Sequence, residues 1–318
     1  ISLCKVVEEI LDLERVGIND DFFRIGINSI LAVRLAYNIS KITHFDIKVS
    51  DIFTYPCVRK LSTNLNTCNK TEDTRIIYHF NEYDSSKENI YMIHPGGGGC
   101  EVYHKLAKGF DHKFNVIGVD NYNMYSDNKI DNLKQLAGLY LEKIRLDKSF
   151  TKNKSFKLLG WSLGGLIALE VALQLESEGY TNIDVYLLDT ILSDKKLEEI
   201  RKRISDESMN KLMQEYLLQE GHELDYIEMV QSAYNAEKVI INTRKLSTTL
   251  VSTNVILFKA MKPDDRIKIE HSNEFNNHIL SLNDNNINKV ANKVVVFPVE
   301  SHHRDILDAH EIIDKILI

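Results

Sequence analysis

Phe156-Lys157-Leu158-Leu159-Gly160-Trp161-Ser162-Leu163-Gly164-Gly165 is the stretch whose reading decides the fold. A short apolar run ends in Gly-x-Ser-x-Gly, and helix-forming residues follow from Leu163 to Glu178. A strand that turns sharply into a helix presents the central residue of that pentapeptide at the turn. Glycine at Gly160 and Gly164 removes side chains that would clash there. Ser162 is therefore a candidate nucleophile, and the helix N-terminus beside it favours developing negative charge.

Outward from this stretch, short apolar runs predict strands at Ile76–Phe80, Ile90–Ile93, Asn115–Val119, Lys157–Leu159, Val185–Leu188, Val255–Phe258 and Val294–Phe297. Amphipathic stretches at Leu133–Ile144, Leu163–Glu178 and His310–Leu317 predict helices among them. That alternation implies an α/β domain with a mainly parallel sheet. Residues 191–250 are helix-forming and charged and lack a strand pattern, which predicts a helical cap inserted in the sheet order.

A serine hydroxyl needs a base to take its proton and an acid to orient that base, in the chain order serine, acid, histidine for this fold. Asp189 closes the run Val185-Tyr186-Leu187-Leu188, 27 positions after Ser162, and Asp264 or Asp265 after Val255–Phe258 is the rival acid. The base comes from His302-His303, late in the chain, and no histidine shows a metal-ligand spacing such as HExxH. His44, His112, His222, His271 and His310 read as surface histidines. Leu163 supplies one oxyanion amide, and Ile93-His94-Pro95-Gly96-Gly97-Gly98-Gly99 supplies the side-chain-free loop for a second. Lacking GxGxxG and Gly-Lys-Ser/Thr, those glycines fit an oxyanion loop better than a phosphate loop.

The first 66 residues are of another kind. Leu3, Val6, Val7, Ile10 and Leu11 stand at helical spacing, as do Ile30, Val33, Ala36 and Tyr37, and a further helix begins at Val58. This predicts a small α-helical bundle over residues 1–66, a linker at 67–75 and an α/β domain over 76–318. With 43% hydrophobic and 27% charged residues the chain is globular rather than disordered. A net charge of −7 argues against nucleic acid as a partner. No apolar run reaches a membrane span, since Glu170 interrupts the stretch after Trp161. Cys4, Cys57, Cys68 and Cys100 form no framework spacing, which fits a reduced, cytoplasmic setting. The opening Ile1-Ser2-Leu3, without a starting Met, reads as a cut through a larger polypeptide.

Asp20-Asp21-Phe22-Phe23-Arg24-Ile25-Gly26-Ile27-Asn28-Ser29-Ile30, with Asp51-Ile52-Phe53-Thr54-Tyr55-Pro56 downstream, resembles a peptidyl carrier (thiolation) domain of nonribosomal peptide synthetases. Residues 72–318 resemble the type I thioesterase domain, of the α/β-hydrolase family, that follows such a carrier at the end of an assembly line. The resemblance implies 4′-phosphopantetheine covalently attached to Ser29. It places the acid at Asp189 and the base at His303, with Gly96 as the second oxyanion donor beside Leu163 and residues 191–250 as the lid. Ile27 and Asn28 depart from the family's usual glycine and Asp or His.

The implied activity is chain release: the acyl or peptidyl thioester passes to Ser162, then leaves by hydrolysis or macrocyclisation, as in antibiotic and other secondary-metabolite biosynthesis. The implied partners are upstream condensation and adenylation domains and a phosphopantetheinyl transferase. A polyketide or hybrid line, a free-standing esterase and a non-catalytic carrier module are the competing readings. The fused carrier and the full Ser-Asp-His set speak against the last two.

Overall fold

The computed structural model describes residues 3–43, 45, 47–65, 76–150, 155–219, 221–222, 224–264 and 270–318. The expected linker at 67–75, His44 and the rival acid Asp265 lie outside these residues.

Four helices come first: α1 (Leu3–Leu11), α2 (Ser29–Thr43), α3 (Val49–Thr54) and α4 (Val58–Leu65). Val6, Val7, Phe22, Leu35, Ile39, Ile52 and Leu61 are buried between them. Each such side chain contributes roughly 1.5–3 kcal/mol through removal from water, and together they make the small bundle that helical spacing predicts.

The second part is a seven-stranded sheet: β1 (Ile77–His79), β2 (Glu88–Ile93), β3 (Phe114–Val119), β4 (Phe156–Trp161), β5 (Ile183–Leu188), β6 (Leu250–Ala260) and β7 (Ala291–Val299). Their spatial order is β1-β3-β2-β4-β5-β6-β7. Only β1 runs antiparallel to its neighbour; every other pairing is parallel. β3 and β4 are mostly apolar, broken only by Asn115 and Lys157, because both faces of the sheet are covered. On one face α7 (Leu133–Leu146) and α8 (Leu163–Ser177) pack over Ile93, Leu158 and Val185. On the other, α5 (His104–Phe110) and α13 (His310–Leu317) pack with Met92, Phe114 and Phe258. A short α6 (Tyr122–Tyr125) follows β3, and α12 (Ser272–Ser281) lies between β6 and β7.

β6 begins five residues before its expected start at Val255. Ser252, Thr253 and Asn254 interrupt its apolar residues, so its first half hides from an apolar-run reading. The Glu176 carboxylate receives the amides of Val251, Ser252 and Thr253 and the Thr253 hydroxyl, at 2.6–2.9 Å. Burial alone would raise that carboxyl, but these donors bring it down to about 2.

Between β5 and β6 the chain forms α9 (Lys195–Arg203), α10 (Asp206–Gln219) and α11 (Leu224–Thr243). His222, read as a surface residue, stacks on Tyr226 with ring centroids 4.6 Å apart. The helical bundle leans on the α/β part through aromatic rings. Phe23 stacks on Phe53 at 4.9 Å, both rings meet His104 at 4.5 and 4.8 Å, and Phe53 meets Phe80 edge-on at 6.0 Å. Burial holds His104 down to about 4, so a neutral ring fills this contact at neutral pH.

Candidate active site

Ser162 stands at the tip of the turn from β4 into α8, with φ 55° and ψ −114°. This left-handed backbone costs on the order of 1–3 kcal/mol and persists only where the surroundings impose it. They do so through close approach. A Cβ on Gly160 would lie 2.1 Å from the Gly164 carbonyl carbon, and one on Gly164 would lie 2.3 Å from the Ile93 oxygen. The Ser162 amide donates to the Leu188 carbonyl at 3.1 Å, and the Thr190 hydroxyl donates to the Ser162 carbonyl at 3.0 Å. The Tyr103 hydroxyl clamps the turn further, accepting from the Trp161 amide at 2.8 Å and donating to the Ile93 carbonyl at 2.7 Å.

Asp189 follows β5 and is 3% exposed. One oxygen accepts from the Ala260 amide at 3.1 Å and the Asn285 side-chain amide at 3.0 Å; the other accepts from His303 Nδ1 at 2.7 Å. Burial pushes this carboxyl up, but the hydrogen bond and charge of His303, with Asn285 and Ala260, hold it below its ordinary value. It is therefore ionised at neutral pH, and His303 carries its proton on Nδ1, which leaves Nε2 free to act as a base. The indole N–H of Trp161 donates to the His303 carbonyl at 2.9 Å and its ring lies 5.3 Å from the imidazole, holding the loop after β7 against the turn after β4.

The alternatives are engaged elsewhere. His302 donates from Nδ1 to the Pro263 carbonyl at 2.6 Å, and Asp264 lies 3.8 Å from the Arg304 guanidinium.

Ser162, Asp189 and His303 line one cavity of about 340 Å³, together with Gly96 and Leu163. That volume lies within the range of small-molecule sites. A Cβ built on Gly96 would be 3.5 Å from the Leu163 Cβ, so the glycine loop and the start of α8 lie side by side. Two backbone amides side by side can act as donors to an oxyanion. The loop itself is braced from two sides. His94 is fully buried, with Nδ1 2.7 Å from the Pro95 carbonyl and Nε2 2.6 Å from the Tyr140 hydroxyl. A carbonyl can only accept, so Nδ1 bears the proton and Tyr140 donates to Nε2. Burial brings this histidine down to about 4, in keeping with a neutral ring. From above, Glu237 of α11 accepts the Gly97 amide at 2.7 Å.

Asn285, Glu237 and Tyr140 carry no motif in the sequence. Asn285 sits in the polar run Asn283-Asp284-Asn285-Asn286, which reads as a plain turn, and Glu237 reads as one more charge on a helix. A buried position 0% exposed to water is the signal that separates Glu237 from its neighbours, and only the folded chain provides it.

In the helical bundle, Ser29 is the first residue of α2. The preceding Asn28 performs the capping, its side-chain oxygen accepting the Leu31 amide at 2.9 Å and its carbonyl the Ala32 amide at 2.9 Å. The cap position is thus taken by Asn28. Among the described residues, no group of histidine, cysteine and acidic side chains could hold a metal ion, and no helix is long and apolar enough to cross a membrane.

Comparison with known proteins agrees in both parts. The thioesterase domain family matches residues 88–317, and the phosphopantetheine attachment site family matches residues 2–65, which identifies a domain bearing covalently attached phosphopantetheine. Malpibaldin synthetase of Mortierella alpina is 28% identical over 208 residues, covering 63% of this chain and 4% of that protein. The dimodular nonribosomal peptide synthase of Bacillus subtilis is 28% identical over 178 residues, 56% of this chain and 7% of its own. This chain therefore spans less than a tenth of the length of these relatives. Among solved structures, a four-domain nonribosomal peptide synthetase bound to AMP and glycine superposes with a TM-score of 0.60 at 17% identity, over 99% of this chain and 25% of that one. The NocB thioesterase domain, in covalent complex with a fluorophosphonate nocardicin G analogue, does so with 0.55 at 20% identity, over 73% and 94%. At these identities the likeness is one of fold.

Proposed function

Because the chain belongs to the thioesterase domain family and carries a phosphopantetheine attachment domain ahead of it, we propose that it releases the finished chain from a nonribosomal peptide assembly line. One observation carries this reading: an ionised, buried Asp189 bonded to His303 at 2.7 Å on the cavity that Ser162 and the glycine loop also line. Phosphopantetheine held at Ser29 would supply a flexible thiol arm on which the chain would be presented as a thioester. His303 Nε2 takes the Ser162 proton as Ser162 Oγ bonds to the thioester carbonyl. The Gly96 and Leu163 amides receive the oxyanion, each worth about 3 kcal/mol in such sites. The C–S bond then breaks, and the proton on His303 passes to the leaving thiolate. Asp189 holds the imidazole in place and stabilises its cation throughout. Water, or an amine or hydroxyl of the chain itself, repeats the cycle on the Ser162 ester and frees an acid or a macrocycle.

Condensation and adenylation domains upstream would build the chain, and a phosphopantetheinyl transferase would load Ser29. The covalent tether makes delivery intramolecular, so weak docking suffices. Incubating the protein with such a transferase and coenzyme A is expected to add one phosphopantetheinyl mass per chain, and Ser29→Ala to abolish it. An addition retained by the variant would place the cofactor elsewhere.

Glu237 is assigned as a positioning residue in this scheme. It keeps the oxyanion loop in place through the Gly97 amide, so Glu237→Ala should lower kcat roughly 10- to 100-fold. Glu237→Gln keeps an acceptor and should restore most of it; equal losses would make the residue merely structural. Burial drives the Glu237 carboxyl up to about 7, against the Gly97 amide that favours its ionised form. A raised acid binds its proton more tightly when folded, so the wild type loses stability as pH rises from roughly 4.3 to about 7. Glu237→Gln is spared that loss, and its advantage in Tm should be larger at pH 8 than at pH 5.

A further inference from the structure

The cavity around Ser162 is bordered by more positive charge than its acids balance. Of the acids, Asp189 is engaged with His303, Asp206 pairs with Lys238, and Asp264 lies by Arg304. Two further guanidinium groups also line the cavity, Arg201 of α9 and Arg244 just after α11. Among the described residues no carboxylate lies within ion-pair distance of either.

Their hydrogen bonds go to neutral acceptors. Arg201 Nη1 donates to the Ser193 hydroxyl at 2.9 Å and the Ile241 carbonyl at 3.1 Å. Arg244 donates from Nε to the same Ile241 carbonyl at 3.0 Å and from Nη1 to the Ile191 carbonyl at 3.4 Å. Arg201 Nη2 is buried and has no acceptor. A guanidinium offers five N–H donors, and one shut from water without a partner is costly. Burial pushes both groups below their ordinary value and the charge of Arg244 adds to the effect on Arg201, while Tyr234, Asp194 and Glu198 near Arg201 and Tyr234 and Asp189 near Arg244 oppose the shift without reversing it. Capping α11 accounts for only part of this arrangement. The end of a helix carries about half a negative charge, against two full positive charges here. The Phe275 ring lies 5.5 Å from the Arg201 guanidinium, and Ile204, Ile279 and Leu280 supply apolar wall to the same cavity.

We propose that Arg201 and Arg244 form an anion subsite of the acyl cavity, which selects a released chain that carries a carboxylate along an otherwise apolar body. The proposal rests on the chain-release function and adds the substrate class. A guanidinium pairs with a carboxylate through two parallel hydrogen bonds, so the charge-bearing group is recognised by shape as well as sign.

The test uses matched N-acetylcysteamine thioesters whose acyl chains end in a carboxylate or in the isosteric carboxamide, at three chain lengths, with the whole protein. These probes lack the phosphate of the pantetheine arm, so any anion preference arises in the acyl chain; an arginine-dependent gain of phosphopantetheinyl over N-acetylcysteamine thioesters, with no carboxylate preference in either, would assign the arginines to the arm's phosphate and overturn the proposal. At the best length, kcat/KM for the carboxylate should exceed that for the amide by at least about tenfold. Arg201→Gln and Arg244→Gln should each bring the ratio towards one. The ratio is taken within one protein, so reduced folding of a variant cancels; should a variant not fold, the wild-type ratio decides. A wild-type ratio near one at every length overturns the subsite, as does a ratio unchanged in both variants. Ser162-dependent turnover of the amide thioesters with no carboxylate preference would remove the subsite and leave chain release standing, whereas no turnover of any thioester would remove both.

Discussion

Ser162→Ala is expected to reduce thioester turnover by on the order of 10⁴- to 10⁶-fold while leaving Tm within about 1 °C of the wild type. The size of the loss follows from the scheme: without Oγ no ester forms, and what remains is binding plus the Gly96 and Leu163 amides acting on direct attack by water. The small structural effect follows from geometry. Ser162 makes no capping bond with its side chain, and its left-handed backbone is imposed by the Gly160–Gly164 contact, which alanine leaves in place. A fluorophosphonate probe, followed by peptide mass spectrometry, should label Ser162 in the wild type and nothing in the variant. Turnover persisting within tenfold of the wild type would end the covalent mechanism.

Asp189→Asn should cost about 10⁴-fold in kcat, and the reason lies in which atoms face it. The Ala260 amide and the Asn285 side-chain amide both require an acceptor at Oδ1. An asparagine satisfying them turns its NH₂ towards His303 Nδ1. Two donors then oppose each other, and the imidazole avoids this by moving its proton to Nε2, the nitrogen that must accept from Ser162. Steady-state kinetics with the single and double variants checks this. Ser162→Ala/Asp189→Asn should be no slower than Ser162→Ala, because the residues act as one unit; additive losses would refute it.

Acidity offers a second readout on the same residue. Asp189 is depressed when folded, so its stabilising contribution is complete above the ordinary carboxylate value of roughly 4. It is lost as pH falls through the lower folded value. The difference in Tm between wild type and Asp189→Asn should therefore be steady from pH 7 to 5 and shrink under more acidic conditions. A difference that grows towards low pH would contradict the depressed carboxyl.

Much of this architecture is legible in the chain because it depends on near neighbours. Gly160, Ser162 and Gly164 announce a turn too tight for side chains, and the apolar runs at Ile90–Ile93 and Val185–Leu188 announce strands covered on both faces. The first half of β6 escapes, since Ser252 and Thr253 owe their place to Glu176, 76 and 77 positions earlier. The acid illustrates the limit best. Asp189 and Asp264 each follow a strand, and spacing alone does not choose between them. In the fold one meets His303 and the other Arg304.

By itself the sequence determined the α/β class, the helical bundle ahead of it, the turn that carries Ser162 and the segment that carries Ser29. Those are properties of periodicity and of steric demands within a few residues. The tertiary structure alone decided that Asn285 shares in holding Asp189, that Glu237 reaches the glycine loop, and that Arg201 and Arg244 stand on the cavity with no carboxylate partner among the described residues. Each depends on groups that folding brings together from 40 to 140 positions apart, where the cost of an unpaired buried charge is the selecting force and nothing in local pattern records it.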